Sequence, residues 1–215
     1  MRNLFLAAAV IGGFVWFMKT CAPSRAEDAS FTGQWKRAES SEVSGSSTEE
    51  LVNVKASRGK FRLDKSVKSL GTTGAPMEYD VVLVFDGTTM HELETFKPRP
   101  GEAPRSAEDS GPQTRSWKPS EAELREQRFW ARSFAGNAGP GGAVAGRETK
   151  LYQVKERRPD AEVTVQAWVD AKTGIVLRSN VSLFAKQVDS LLNKTTEECL
   201  SVSFAPVPDS AFAKP

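Results

Sequence analysis

Few residues in this 215-residue chain have much chemical range: one histidine, His91, two cysteines, Cys21 and Cys199, and scattered carboxylates. Glu92 and Glu94 follow the histidine. Successive side chains of a strand alternate between its faces, so both carboxylates project away from His91. General acid–base work by histidine needs an orienting partner, and zinc needs several nitrogen or sulfur ligands. One imidazole and one lone thiol do not supply them. Carboxylates two residues apart could serve glycoside hydrolysis, yet an acidic β chain carries such pairs by chance. The residues therefore predict no catalytic group, no metal and no cofactor.

Other motifs fail on chemistry. Gly139-Pro140-Gly141-Gly142 loses a backbone donor at its proline and lacks the Lys-Ser/Thr of a phosphate cradle, so it reads as a linker. Asp170 to Gly174 offers too few oxygens for calcium. Asn180-Val181-Ser182 and Asn193-Lys194-Thr195 match the glycosylation pattern, which chance supplies often.

The elements that would position these residues are mostly strands. Tyr79 to Phe85 and Thr88 to Phe96 flank Asp86-Gly87, a dipeptide that predicts a two-residue hairpin because both residues tolerate positive φ. Lys150 to Glu156, Glu162 to Val169 and Ile175 to Leu183 predict a three-stranded meander. Its middle strand places Val163, Val165, Ala167 and Val169 on one face. Phe31 to Ala38, Leu51 to Ser57, Lys60 to Lys65 and Thr195 to Phe204 read as further strands. Gly45-Ser46-Ser47 and Arg58-Gly59 read as turns. Phe184 to Leu192 fits helical spacing but is assigned to strand by its context.

Two segments break this rhythm. Lys97 to Pro119 holds five prolines and almost no apolar residue, which predicts a long mobile loop. Ser120-Glu121-Ala122-Glu123 then matches a capping box, predicting a helix over 121–134. Its bulky residues Phe129, Trp130 and Phe134 must cover a sheet face or a cavity mouth.

The N-terminus carries Arg2 and then 15 uncharged residues, Leu4 to Met18. A spanning helix wants roughly 20 apolar residues, so residues 1–26 read as a secretory signal cut after Ala26. A cut after Ala22 and an uncleaved anchor are the alternatives. Lipid attachment at Cys21 fits poorly, because Met18-Lys19-Thr20 is no lipobox. Removing Arg2, Lys19 and Arg25 leaves 26 basic against 27 acidic residues, so the net charge of +2 becomes −1. Nucleic acid and polybasic membrane binding are not expected of such a chain. Residues 27–215 form one expected domain.

In order and spacing, Gly59-Lys60-Phe61-Arg62-Leu63, Leu83-Val84-Phe85-Asp86-Gly87-Thr88-Thr89, Ala145-Gly146 before Tyr152-Gln153-Val154, Trp168-Val169-Asp170 with Thr173-Gly174, Leu177-Arg178, and the closing Phe204, Pro206-Val207-Pro208 and Phe212 form one pattern. It resembles the LolA/LolB-like superfamily of periplasmic lipoprotein carriers and outer-membrane lipoprotein-sorting proteins, with its RseB-like relatives. The resemblance covers most of residues 31–212. It implies a mainly β fold with minor α, a strongly curved antiparallel sheet forming an incomplete β-barrel and covered by at least one helix. It also implies a periplasmic carrier of lipid or lipoprotein acyl chains in an apolar cavity. Arg58, Phe61, Phe85, Phe129, Trp130 and Phe134 are the expected ligand-binding residues, Arg58 lying nearest to the arginine that helps lock the lid in such carriers. The other reading is an envelope sensor that binds a protein partner through the Lys97 to Pro119 loop and sheet edges.

Overall fold

A computed structural model describes residues 25–71, 76–97, 111–157, 159–186 and 190–215. The expected signal lies outside these residues, apart from its last two positions. Eleven strands follow one another: β1 (Phe31–Ser41), β2 (Ser46–Ser57), β3 (Lys60–Leu70), β4 (Met77–Phe85), β5 (Met90–Phe96), β6 (Gln113–Trp117), β7 (Gly139–Val144), β8 (Arg147–Arg157), β9 (Ala161–Asp170), β10 (Val176–Ala185) and β11 (Ser190–Ser203). Between β6 and β7 stand helix α1 (Glu121–Gln127) and a 3₁₀ turn, Phe129–Ala131.

All strands join one antiparallel sheet in the order β6-β5-β4-β3-β2-β1-β11-β10-β9-β8-β7. It is not closed into a barrel. β1 to β6 form one meander and β7 to β11 another, and the first and last strands zip them together, with Arg37 opposite Glu197. The free edges, β6 and β7, are consecutive in the chain. The segment between them must therefore cross the sheet from edge to edge.

A single core cluster joins Met90 of β5 to Val144 of β7. Nine strand spacings separate these two strands, roughly 43 Å on a flat sheet at about 4.8 Å each. The core therefore runs along the inner face of one open antiparallel sheet, consistent with the incomplete-barrel expectation. Its inner face carries Phe31, Trp35, Val52, Val54, Phe61 and Leu63, all buried.

Several local expectations are corrected. Phe85 pairs with Met90, so Asp86 to Thr89 is a four-residue loop and not a two-residue turn. The Asp86 carboxylate causes this: Oδ1 accepts from the backbone N–H of Thr88 and Thr89 at 2.8 and 2.9 Å and from the Thr88 hydroxyl. Two-residue turns occur instead at Arg58-Gly59 (φ 49° and 76°) and Ala145-Gly146 (φ 48° and 73°). Ser46 and Ser47 already belong to β2, so the first turn ends at Gly45.

The expected loop over 97–119 contains β6, whose polar side chains need no burial because it is an edge strand. Residues 98–110 lie outside the described residues. The Gly139–Gly142 linker is the start of edge strand β7, where Pro140 and a register shift are tolerated. The segment Phe184 to Leu192 is the end of β10, a connection and the start of β11. The helix is shorter than 121–134, because Arg128 leaves helical geometry at φ −87° and ψ 50°.

Candidate functional site

The segment that crosses the inner face begins at Ser120. Its hydroxyl accepts from the Glu123 N–H at 3.2 Å, and the Glu123 carboxylate accepts from the Ser120 N–H at 2.7 Å. This reciprocal cap starts α1 where the sequence placed it. Continuing as a helix past Gln127 would swing the aromatic residues around its axis. The chain instead tightens into the 3₁₀ turn, which seats Phe129 and Trp130 side by side against the sheet.

Seven rings then make one cluster, Phe204 joining it through Phe31 at 6.2 Å. Trp130 meets Phe31 at 5.8 Å and Phe61 at 5.6 Å, and Phe129 meets Trp35 at 5.8 Å. Phe61 packs on Phe85 at 5.6 Å. Most pairs are edge-to-face, the geometry favoured by the ring quadrupole and worth about 0.5–1.5 kcal/mol each beyond burial. The buried Trp35 indole donates to the Val176 carbonyl at 3.3 Å, so its polar tip is satisfied. Four of the expected ligand residues, Phe61, Phe85, Phe129 and Trp130, are thus brought together, but against one another. The apolar face is occupied by the protein's own side chains.

Phe134 stands apart from them, with its ring 5.9 Å from Tyr152. Arg58 is exposed in its turn. Arg37 lies 4.9 Å over the Phe129 ring, and the arginine that meets Phe61 and Phe85 is Arg128, from the crossing segment. Its guanidinium donates to the Gly59 carbonyl and lies 5.5 Å from the Phe61 and Phe85 ring centres. Burial holds Arg128 below the ordinary arginine value, against the pull of Glu27 and Asp28.

Beyond the 3₁₀ turn a second arginine grips the sheet. Arg132 donates to Glu197 Oε2 at 2.7 Å and Oε1 at 3.1 Å. Arg37 Nε donates to Oε1 at 3.1 Å, and the Ser179 hydroxyl donates to Oε2 at 2.7 Å. Arg37 also reaches Glu50 through Nη1 at 2.9 Å. Burial favours the neutral acid at Glu197, but Arg132, Arg37 and the Ser179 hydroxyl outweigh it and hold the carboxyl below its ordinary value. Burial likewise opposes the Arg37 charge, and Glu197 and Glu50 more than offset it. Lys65, beneath the end of α1, is lowered by burial and donates to Gln127 Oε1 at 2.9 Å.

The residues that could do chemistry are placed differently. His91 contacts the Ser116 hydroxyl at 2.9 Å and Asp86 at 3.3 Å, on the face opposite the rings. Glu92 is held by Arg115 through two bonds, at 2.7 and 3.0 Å. Cys199 is buried, its thiol pushed up to about 12 chiefly by that burial. Among the described residues no group of three or more His, Cys, Asp or Glu could hold a metal. Two open hollows of mixed character lie among the described residues, one lined by Thr32, Gln34, Asn53, Val54, Asp64 and Val202, the other by Asn137, Pro140, Glu148, Thr149 and Tyr152.

Phe31, Trp35, Arg37, Arg128, Arg132 and Glu197 were not singled out by the sequence. For Arg128 and Arg132 a signal existed, because with Arg125 they recur at three- and four-residue spacing on a segment rich in rings; for Arg37 on β1 none did. For Glu197 none did, because its partners come from β1, β10 and the crossing segment.

No protein-family model and no curated protein matches the chain. Among solved structures it is similar to MucB, in the crystal structure of MucB in complex with MucA(peri), at 21% identity and a TM-score of 0.36. The match covers 88% of this chain and 56% of that one, so the chain spans little more than half the length of the MucB chain.

Proposed function

We propose that this chain is an exported envelope module that binds a protein partner through its sheet surface, and not a carrier that encloses an acyl chain. One observation carries the reading: Phe31, Trp35, Phe61, Phe129 and Trp130 fill the inner face where a carrier would keep a cavity. Lipid sites are concave, apolar and largely pre-formed. Opening one here would separate the edge-to-face rings and loosen the Arg132–Glu197 pair on the same segment, a cost of several kcal/mol that an acyl chain must first repay. Export rests on the N-terminal apolar run. Ala26 is fully buried in the core, a packing that a cut after Ala22 or an uncleaved segment keeps and a cut after Ala26 would loosen.

The test is photo-crosslinking of the full chain in a bacterial envelope, with a benzophenone amino acid placed singly at exposed sheet positions. Covalent adducts to one protein, clustered on one surface, are expected. Native mass spectrometry of the same material should show no bound lipid. A lipid mass at stoichiometric occupancy, with no protein adduct from any position, would sink the reading.

A further inference from the structure

We propose that Asp86, His91 and Ser116 form a nucleophilic triad on the outer face of the sheet, in which the Ser116 hydroxyl takes the acyl group of a short, apolar ester and passes it to water. This activity is independent of partner binding.

The residue order alone gave His91 no orienting partner, and the fold supplies a partner at each ring nitrogen. Nδ1 lies 2.9 Å from the Ser116 hydroxyl, and Nε2 lies 3.3 Å from Asp86 Oδ2. His91 of β5 stands directly opposite Ser116 of β6. The Lys97 N–H donates to the Glu78 carbonyl and the Asp86 N–H to the Thr89 carbonyl. Bonded pairs recur at every second position of an antiparallel ladder, so the odd-numbered residues of β5 spend their backbone on β4 and the even ones on β6. His91 and Ser116 are therefore a pair without backbone bonds between them, the kind whose side chains approach most closely.

The Asp86 carboxylate divides its work. Oδ1 accepts from the Thr88 and Thr89 N–H groups at 2.8 and 2.9 Å and from the Thr88 hydroxyl, which fixes the group and leaves Oδ2 for the ring. Those N–H groups hold Asp86 well below the ordinary carboxylate range, and an ionised carboxylate only accepts. Nε2 must then carry the ring proton. Nδ1 presents its lone pair to Ser116, whose hydroxyl donates, and that is the tautomer a general base requires. The ring is turned end for end relative to the serine-protease triad, with the same division of roles. The His91 side chain is 15% exposed, whereas Ser116 is exposed and open to a substrate.

In the first step Ser116 Oγ bonds to the ester carbonyl carbon as its proton passes to Nδ1. The bond to the leaving oxygen then breaks, and that oxygen takes the proton from Nδ1. In the second step a water gives a proton to Nδ1 and attacks the acyl-serine, and Ser116 Oγ leaves with that proton. The Ser116 N–H turns away from β5 to a side where no described strand lies, so it can donate to the developing oxyanion. Val82, Leu93 and Thr114 form the next row on the same face, with Val82 and Leu93 half-buried. An acyl group lying along that row is short and uncharged.

The full chain is treated with a fluorophosphonate probe and, separately, with p-nitrophenyl butyrate. Peptide mass spectrometry should show Ser116 phosphonylated at least about a hundredfold faster than the exposed Ser40, the gain that general-base assistance gives, and butyrylated during turnover. Ser116→Ala should abolish both adducts. His91→Asn should slow labelling of Ser116 by at least about a hundredfold, and the double variant should hydrolyse the ester no more slowly than either single one, because the groups act as a unit. Asp86 is a positioning residue. Asp86→Asn keeps an oxygen for Thr88 and Thr89 but turns an N–H towards Nε2, so the ring proton should move to Nδ1 and labelling should fall as in His91→Asn. His91 is the chain's single histidine, so its ring nitrogen resonances report that move directly by NMR. Labelling of Ser116 no faster than that of Ser40, or a native His91 with its proton on Nδ1, overturns the proposal, and both are read on the unaltered protein. Neither outcome bears on the envelope crosslinks, which test partner binding alone.

Discussion

Arg132 and Glu197, 65 residues apart in the chain, meet through two hydrogen bonds at 2.7 and 3.1 Å, with the carboxylate side chain only 1% exposed. The pair ties the segment that crosses the sheet to the strand that closes it. Because Arg37 and Ser179 complete the shell, the buried charge is matched on every side.

Breaking a buried pair on one side strands the other charge, at a cost of about 3–5 kcal/mol. Glu197→Gln should therefore lower unfolding free energy by about 3 kcal/mol in urea titration. Glu197→Gln combined with Arg132→Met should cost less than the two single changes added together. Strict additivity in that double-mutant cycle would show that the pair is not coupled.

The acid limb of the stability profile follows from the same group. The folded-state pKa of Glu197 lies below its unfolded value, as does that of Asp86, mainly through the Thr89 and Thr88 N–H groups. The unfolded chain then binds more protons at acidic pH. This stabilisation is fully present above the unfolded carboxyl values, about 3.9–4.3, and is lost as pH falls through the folded ones. Denaturation midpoints should be level above about pH 6 and fall below about pH 4, and Glu197→Gln should flatten that fall.

Gly33 shows what the close packing of the ring cluster demands. A Cβ there would lie 2.5 Å from the Trp35 ring and 2.8 Å from the Ser201 carbonyl. Gly33→Ala should cost about 1–3 kcal/mol through overpacking and shift tryptophan emission. Gly71→Ala, with nothing within 4 Å of the new methyl, is the control and should be close to neutral in the same thermal melts.

Arg58 sits at φ 49° ahead of Gly59 at φ 76°, the backbone that prefers Asn-Gly. Arg58→Asn should raise stability by about 0.4–1 kcal/mol and leave the crossing segment in place. If Arg58 instead locked that segment, as in the carriers the sequence resembles, the same change would expose Trp130 to quenching by iodide.

Local chemistry made much of the fold legible. Alternating apolar residues marked β8, β9 and β10, Ser120 and Glu123 marked the start of α1, and Arg58-Gly59 marked its turn. Each depends on neighbours a few residues apart. The helix was overextended because Phe129, Trp130 and Phe134 fit helical spacing, while docking on Phe31 and Trp35 favours the 3₁₀ turn. β6 was missed because Gln113 to Ser116 carry no apolar signal and gain their place from backbone bonds to β5.

By itself the sequence determined strand periodicity and the capping box. Those follow from residue type and short spacing. Only the tertiary structure decided that β1 zips to β11, which sends the chain between β6 and β7 across the inner face. That crossing turns the aromatic residues from a prospective lid into the filling of the sheet and buries Glu197 between two arginines. It also leaves Thr114 and Ser116 on an edge strand, because β6 and β7 end the sheet without pairing with each other.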